Sequence, residues 1–340
     1  MKFAAAVMAL VWGWTAGAAF GEWPERDLTL VAPLSPTLPW GQTSNPQAEL
    51  LAALVPRLSR ELGVPVRYQV RPEGMGVLAA NAVALAQDDG YVLTAIGNDP
   101  AVSLVIQGYT PYIWGEIVPV ATAWRVVYVL VAGAGFPASD IRALADNVKA
   151  GTKNSRAWDR PRLARVRSGP PFSSSVLMAM EAAREAGFEW DFAVVDRLDP
   201  EVILEGRAEA MVLPLGDFQA HPRKDEFKAL LVMSEEEPYG AEGWPNLKTQ
   251  ALKLSINPFF AFYLPARVNW RVRSRLSTAI NNTLRRKAVA ENLVRIGLLP
   301  YLEDSEGVEP ILNQEYANQV RLLESFGLME SVSGTGPVER

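Results

Sequence analysis

The sequence lacks cysteine and contains a single histidine, His221, among its 340 residues. The absence of cysteine excludes disulfides, thiolate catalysis, cysteine-ligated zinc, iron–sulfur clusters and lipid attachment to a cysteine. One imidazole also excludes sites that need two, such as the HExxH zinc site. His221 stands in a loop, and no GxSxG nucleophile motif accompanies it. We therefore predict a protein that is not an enzyme and that holds no metal and no cofactor.

A surplus of positive charge is also missing. The chain carries 33 Lys and Arg against 38 Asp and Glu, a formal net charge of −5. Phosphate binding needs an excess of basic residues, so we expect no nucleic acid partner. One local stretch is nevertheless basic, and it is either a solvated loop or an anion-attracting surface. Its cations are Lys153, Arg156, Arg160, Arg162, Arg165 and Arg167.

The first residues have the order of a secretory signal peptide. Lys2 gives a positive start, Ala4 to Trp14 is apolar, and small residues follow up to Gly21. The apolar run is shorter than the ~20 residues that a membrane span needs. We predict a signal peptide over residues 1–21, cleaved near Gly21, and a periplasmic location. An uncleaved anchor is the alternative interpretation.

Strand-like and helix-like segments alternate along the remaining chain. Leu28–Ala32 reads as a strand, a leucine-rich helix ends near Leu62, and a second strand follows it. This β–loop–α–β order implies parallel pairing, and its continuation predicts an α/β fold. The long apolar run Val118–Ala132 is interpreted as a strand that could leave one domain and enter another.

Several short motifs occur in an order that resembles a known family, the periplasmic solute-binding receptors of tripartite tricarboxylate transporters (the Bug-type family). No single motif is specific, and the resemblance rests on their order and spacing over the whole mature chain. The motifs are Trp23–Pro33, Leu62–Val66, Arg71–Gly76, Asp89–Leu93, Val118–Ala121, Leu204–Ala210, Trp244–Leu247 and Ile296–Pro300.

The resemblance implies a two-lobed periplasmic-binding-protein fold, of α/β class with mainly parallel sheets and a central cleft. We place the first lobe at residues 22–124 and 251–330, the second at 125–250, and a flexible tail at 331–340. The implied function is the capture of a small organic carboxylate and its delivery to a membrane permease or sensor. We expect the receptor to be a monomer.

Two loops depart from the family pattern. The first lacks a Gly-Gly pair and an Asp and instead contains Pro36 and Pro39. The second, Ser168–Ser175, has prolines where the family has glycine. Proline removes both a backbone donor and the space that glycine leaves. Either the ligand is altered, or the scaffold has been reused as a protein-interaction or signalling module.

The predicted ligand-binding residues come from these loops and from the ends of two strands. Asn98 and Asp99 follow a strand at the end where α/β sheets bind ligands, although they could equally cap a helix. The predicted set is Ser35, Thr37, Trp40, Gly41, Thr43, Ser44, Asn98, Asp99, Ser168, Gly169, Phe172, Ser173, Ser174 and Gly216.

Overall fold

The structure is a computed structural model that describes residues 23–41, 43–150, 160–167 and 172–329. The predicted signal peptide and the predicted tail 331–340 lie outside the described residues. So do two of the cations, Lys153 and Arg156, and two predicted ligand-binding residues, Ser168 and Gly169. Within the described part of the chain, no helix has the length and apolar character that crossing a membrane requires.

Strands and helices alternate as the sequence pattern predicts. The strands are β1 Leu28–Ala32, β2 Val66–Val70, β3 Val92–Ile96, β4 Ile117–Val126, β5 Tyr128–Gly133, β6 Arg162–Val166, β7 Asp191–Val195, β8 Ala210–Pro214, β9 Phe227–Val232, β10 Phe259–Pro265 and β11 Leu298–Pro300. The α-helices are α1 Pro46–Leu62, α2 Val77–Ala84, α3 Leu104–Ile106, α4 Ile141–Lys149, α5 Ser174–Ala186, α6 Glu201–Leu204, α7 Leu215–Gln219, α8 Trp270–Leu284, α9 Lys287–Arg295 and α10 Val308–Ser325.

The strands form two sheets, and each sheet with its packed helices makes one lobe. The first sheet has the order β11-β4-β10-β3-β1-β2, and the second has the order β7-β6-β8-β5-β9. Strands β3, β1 and β2 are parallel, as are β7, β6 and β8. β10 and β5 run antiparallel to their neighbours. The predicted α/β fold is confirmed, with a parallel core inside each mixed sheet.

One apolar run supplies a strand to each sheet. β4 ends at Val126 and β5 begins at Tyr128, so the chain changes sheets at Val127. Trp124 lies opposite Phe260 in the first sheet, and Tyr128 lies opposite Pro214 in the second. The run that reads as one strand therefore leaves one sheet and enters the other, as predicted.

The local sequence explains where helix α1 begins and where it ends. The Asn45 side chain accepts hydrogen bonds from the backbone N–H groups of Gln47 and Ala48, at 3.0 and 3.2 Å. Pro46 occupies the first helical position, where its missing N–H costs nothing. Gly63 ends the helix in the left-handed conformation, at φ 76°. The leucines between them face the core of the first lobe.

Each lobe has its own hydrophobic core. Trp124 and Phe262 are fully buried in the first core, and Leu130 and Leu177 in the second. Tyr128 packs against both. The end of α10 also reaches the second core, because Leu322 and Leu323 belong to it. The boundaries between the lobes stay a prediction.

The lobes come into close contact at Gly216, a predicted site residue in α7. A Cβ atom built on Gly216 would overlap the backbone carbonyl oxygen of Ile296, which follows α9 in the first lobe. Backbone cannot move aside as a flexible side chain does. The position therefore requires glycine for space and not for its φ angle.

We predict that Gly216→Ala destabilises the protein. The added methyl forces the Ile296 backbone to shift, and overpacking of this kind lowers the free energy of unfolding by about 1–3 kcal/mol. Urea denaturation of the mature protein measures the effect. Gly135→Ala is the matched control, because a Cβ there meets no atom within 4 Å. Equal unfolding midpoints for the two variants would contradict the predicted contact.

Candidate functional site

Two adjoining cavities lie between the lobes, at the carboxyl ends of parallel strands where α/β proteins bind ligands. The small cavity has a volume of about 170 Å³, and the large cavity about 270 Å³. Met75, Asp99 and Tyr128 line both. The small cavity is otherwise lined by Pro33, Leu34, Gly97, Asn98, Pro100, Val126, Pro258, Phe259 and Phe260. The large cavity is otherwise lined by Ala164, Arg165, Val166, Ser173, Ser175, Val176, Leu198, Val212 and Pro214.

Asp99 connects the two lobes. It follows β3 in the first lobe, and its Oδ1 accepts a hydrogen bond of 2.7 Å from the backbone N–H of Ser174. Ser174 is the first residue of α5 in the second lobe. Burial raises the pKa of the Asp99 carboxyl, although the hydrogen bond from Ser174 opposes the rise. Asp99 therefore caps a helix that belongs to the opposite lobe.

Further hydrogen bonds cross between the lobes beside Asp99. The Oγ atoms of Ser103 and Ser174 lie 2.9 Å apart, and Ser103 donates its hydroxyl to Gln319 Oε1 at 2.6 Å. Gln107 Nε2 donates to the carbonyl oxygen of Phe172 at 2.7 Å. The predicted residues Phe172 and Ser174 thus hold the lobes together through backbone and hydroxyl groups, and Ser174 is only 1% exposed.

Hydroxyl groups, one arginine and the carboxyl of Asp99 provide the polar lining of the large cavity. Ser173 caps α5 by accepting from the N–H of Val176 at 3.4 Å, and its Oγ lies 3.0 Å from that of Ser175. Arg165 projects from β6 on the same side and lies near the ring of Phe192. A guanidinium and two hydroxyls form a group of donors suited to a small anion.

Arg165 differs in setting from the other described cations of the basic stretch. Arg160 approaches Glu189 and Asp191 at 3.6 and 3.9 Å. Arg162 pairs with Glu209 at 2.7 Å, and Arg167 with Asp196 at 3.5 Å. Those three arginines form ion pairs at the surface, where such pairs contribute little to stability. Arg165 lines the large cavity of the cleft.

The first loop folds on itself. Leu38 N–H donates to the carbonyl oxygen of Thr43 at 2.8 Å, and Asn45 N–H donates to that of Pro36 at 2.9 Å. Thr37 and Ser44 form an antiparallel bridge, while the Ser35 hydroxyl accepts from Thr37 N–H at 3.3 Å. Gly41 is exposed, at φ 118°. These loop residues lie outside the lining of both cavities, so their ligand contacts stay a prediction.

Trp40 joins this loop to the second lobe. Its ring meets the ring of His221 edge-on, with centroids 4.8 Å apart. His221 is 2% exposed, and its Nδ1 accepts from the N–H of Arg223 at 3.1 Å. Burial lowers the pKa of His221, and the nearby carboxylate of Asp199 opposes that effect. His221 is therefore a packing partner for the loop, which gives it a structural role.

Asp217 is a second carboxyl with a raised pKa, and it lies near Tyr128. It follows Gly216 in α7, and burial raises its pKa to about 7. The Gln47 side chain, from the first turn of α1, opposes this rise. Burial, together with the charges of Asp99 and Asp217, raises the pKa of the Tyr128 hydroxyl well above its usual range. Tyr128 is therefore a neutral hydroxyl group in the cleft.

Of the predicted ligand-binding residues, the structure brings Asn98, Asp99 and Ser173 together in the cavity walls. Sequence reasoning missed Met75, Tyr128, Arg165 and Ser175. The sequence offers one signal for Met75, its position between Gly74 and Gly76. In the structure Met75 adopts a positive φ of 56°. Residues other than glycine rarely adopt that conformation, and exceptions concentrate at functional sites.

Metal binding finds no support in the described ranges 23–41, 43–150, 160–167 and 172–329. They contain no group of three or more His, Asp or Glu side chains placed to hold an ion. The polar groups of the cleft are hydroxyls, one guanidinium, an amide and one carboxyl. Such a set favours recognition of a ligand by hydrogen bonds and charge.

Comparison with known proteins identifies the relatives of this chain. A family model described as "Tripartite tricarboxylate transporter family receptor" matches residues 52–328. BugT of Bordetella pertussis is 25% identical over 293 residues, which cover 82% of this chain and 83% of BugT. Rpa4515 of R. palustris, solved with adipate, has a TM-score of 0.72 at 19% identity, over 90% of this chain and 99% of that one. MatC of Rhodopseudomonas palustris, solved with bound malate, has a TM-score of 0.67 at 18% identity, over 88% and 99%.

Asp217 makes stability depend on pH. Its pKa in the folded protein, about 7, exceeds the ordinary value of 3.8. Between these values the folded form holds a proton that the unfolded form releases, so the free energy of unfolding falls as pH rises through this window. Burial also raises the pKa of Glu315 to about 7, which adds to the same trend.

We predict that Asp217→Asn makes this loss of stability between pH 5 and pH 8 smaller, by on the order of 2 kcal/mol. Urea denaturation at the two pH values measures it. Asp225→Asn, at an exposed position after α7, is the control and should keep the wild-type pH dependence. If Asp217→Asn loses as much stability between pH 5 and pH 8 as the wild type does, Asp217 is not the group that titrates.

Proposed function

The chain belongs to the tripartite tricarboxylate transporter receptor family, and on that basis we propose that it is a periplasmic receptor for a small organic carboxylate. The family consists of solute-binding receptors. The proposed ligand site is the large cavity between the lobes, and the proposed role is to carry the ligand to a membrane permease or sensor. The signal-peptide pattern of residues 1–21 supports export, with cleavage near Gly21, and we propose that the receptor acts as a monomer.

The donor group of Arg165, Ser173 and Ser175 carries this proposal. These side chains face one cavity from β6 and from the start of α5. A guanidinium binds a carboxylate in a bidentate manner, and hydroxyls donate further hydrogen bonds to it. The cavity volume of about 270 Å³ suits a molecule of a few carbon atoms. Two relatives of the same fold were solved with adipate and with malate, which are both small carboxylates.

Binding in such a cleft requires the lobes to separate and close. Binding proteins of this architecture close by hinge motion around the ligand. Here the β4–β5 junction at Val127 is one of the connections between the sheets. Asp99, Ser103 and Gln107 join the first lobe to the start of α5, and opening of the cleft would break these contacts.

A second candidate function is a protein-interaction or signalling module built on the same scaffold. The observation that favours it is the first loop, which is closed on itself and is held by Trp40 against His221. Its backbone N–H groups are thereby partly committed to its own carbonyl groups. A receptor that binds no small molecule would support this second function.

We predict that at least one small carboxylate raises the melting temperature of the mature protein. Ligand that binds only the folded state stabilises it by RT ln(1 + [L]/Kd). A thermal-shift screen of mono- and dicarboxylates of two to eight carbons is the measurement, followed by calorimetric titration of the acids that act. Arg165→Gln should weaken binding about tenfold or more, since it removes a charged hydrogen-bond donor.

Arg160→Gln is the matched control, because Arg160 belongs to the same basic stretch but pairs with Glu189 and Asp191 at the surface. It should leave binding unchanged. A screen without any thermal shift would count against the receptor. Equal affinities for wild type and Arg165→Gln would show that the anion binds elsewhere.

A further inference from the structure

The N-terminus of α5 is already occupied by a carboxyl group of the protein itself, that of Asp99. The first backbone N–H groups of a helix have no partner within the helix, and the helix dipole adds a partial positive charge there. In α5, a helix of 13 residues, the N–H of Ser174 is the first of these donors. It donates to Asp99 Oδ1 at 2.7 Å, across the boundary between the lobes.

The packing around this contact leaves no room for a second anion. Ser174 is 1% exposed, and its hydroxyl contacts Ser103, which in turn donates to Gln319 on α10. The Phe172 carbonyl, just before the helix, accepts from Gln107. A ligand carboxylate could reach the N–H of Ser174 only after it displaced Asp99.

The large cavity therefore has a basic side and an acidic side. Arg165 lines it from β6, while Asp99 lines it from the first lobe, next to Tyr128. A linear diacid that placed one carboxylate on Arg165 would direct its other carboxylate towards Asp99. With Asp99 ionised, the two carboxylates repel each other in the partly dry cleft.

We propose that Asp99 is a specificity-determining residue that restricts the cleft to small monocarboxylates carrying a hydrogen-bond donor, a hydroxyl or an ammonium, at the other end. This inference rests on the proposed carboxylate receptor function. The carboxylate of the ligand pairs with Arg165, and its donor faces Asp99. The ligand carboxylate then meets hydrogen-bond donors of the cavity wall, and the ligand donor meets an acceptor.

The chemistry of Asp99 itself agrees with this arrangement. Burial raises its pKa, so the donors around it compensate only part of the lost hydration. A hydroxyl or ammonium on the ligand would add the missing donor, whereas a second carboxylate would add a further acceptor. The Ser174 N–H is committed to Asp99 whether or not the carboxyl is ionised.

The experiment compares matched acids of equal chain length. Calorimetric titration at neutral pH measures succinate against 4-hydroxybutyrate and 4-aminobutyrate, and adipate against 6-hydroxyhexanoate and 6-aminohexanoate. The wild-type protein should bind the donor-bearing acid of at least one series about tenfold or more tightly than the diacid of the same length. The hydroxy and amino acids of each series show which donor the cleft prefers.

Two variants separate the two effects of Asp99, its occupation of the α5 N-terminus and its negative charge. Asp99→Ala vacates the N-terminus of α5. We expect it to improve diacid binding and to reduce the preference for the donor-bearing acid over the diacid about tenfold. Asp99→Asn retains an oxygen that accepts from Ser174 but carries no charge, so it should reduce the preference even if Asp99→Ala fails to fold. Glu181→Gln is the control, since Glu181 is a buried carboxyl on α5 that faces Ser255, and it should leave the preference unchanged.

The outcomes distinguish this inference from the receptor function. A wild-type protein that binds the diacids as tightly as the donor-bearing acids, or a preference that survives both Asp99 variants, overturns the role of Asp99 and leaves the receptor intact. Absence of binding by every acid to wild type and to both variants overturns the receptor and this inference together.

Discussion

A single apolar run, Ile117–Gly133, is the constraint on which the arrangement of the two lobes depends. Its first part is β4, which lies between β11 and β10, and its second part is β5, which lies between β8 and β9. Only Val127 separates them, so the two sheets cannot be placed independently. Tyr128, the next residue, packs against both cores and lines both cavities. The cleft is therefore formed at the point where the chain passes from one sheet to the other.

Polar contacts then decide how the cleft is closed. Ser174 at the start of α5 receives its partners from the opposite lobe, Asp99 at its N–H and Ser103 at its hydroxyl. Buried polar groups are costly without a partner, so these contacts have defined geometry and favour one relative position of the lobes. Asp99 also lines the cavity that Arg165 lines, so one residue both joins the lobes and faces the proposed ligand site. A receptor of this kind needs no cysteine and no catalytic histidine.

The two proline-containing loops differ in their consequences. Around Pro36 and Pro39 the first loop makes hydrogen bonds to itself and extends Trp40 to the buried ring of His221. In the second loop, Ser173 caps α5. The first loop thus packs against the second lobe, whereas the second loop leads into a helix N-terminus that Asp99 of the first lobe also caps.

The sequence by itself determined the α/β class, the end of α1 near Leu62 and the passage of one apolar run between two sheets. These depend on caps, on periodicity and on burial, which act between neighbouring residues. The order of short motifs was enough to indicate the family. Asn98, Asp99 and Ser173, which the sequence places at the end of a strand or the start of a helix, line the two cavities, and their contact with a ligand stays a prediction. Only the tertiary structure decided that Arg165, among the cations of one stretch, lines the cleft, and that Asp99 caps α5. The register of β6 against β7 and the approach of the two lobes set those neighbours, and both depend on residues that are distant in the chain.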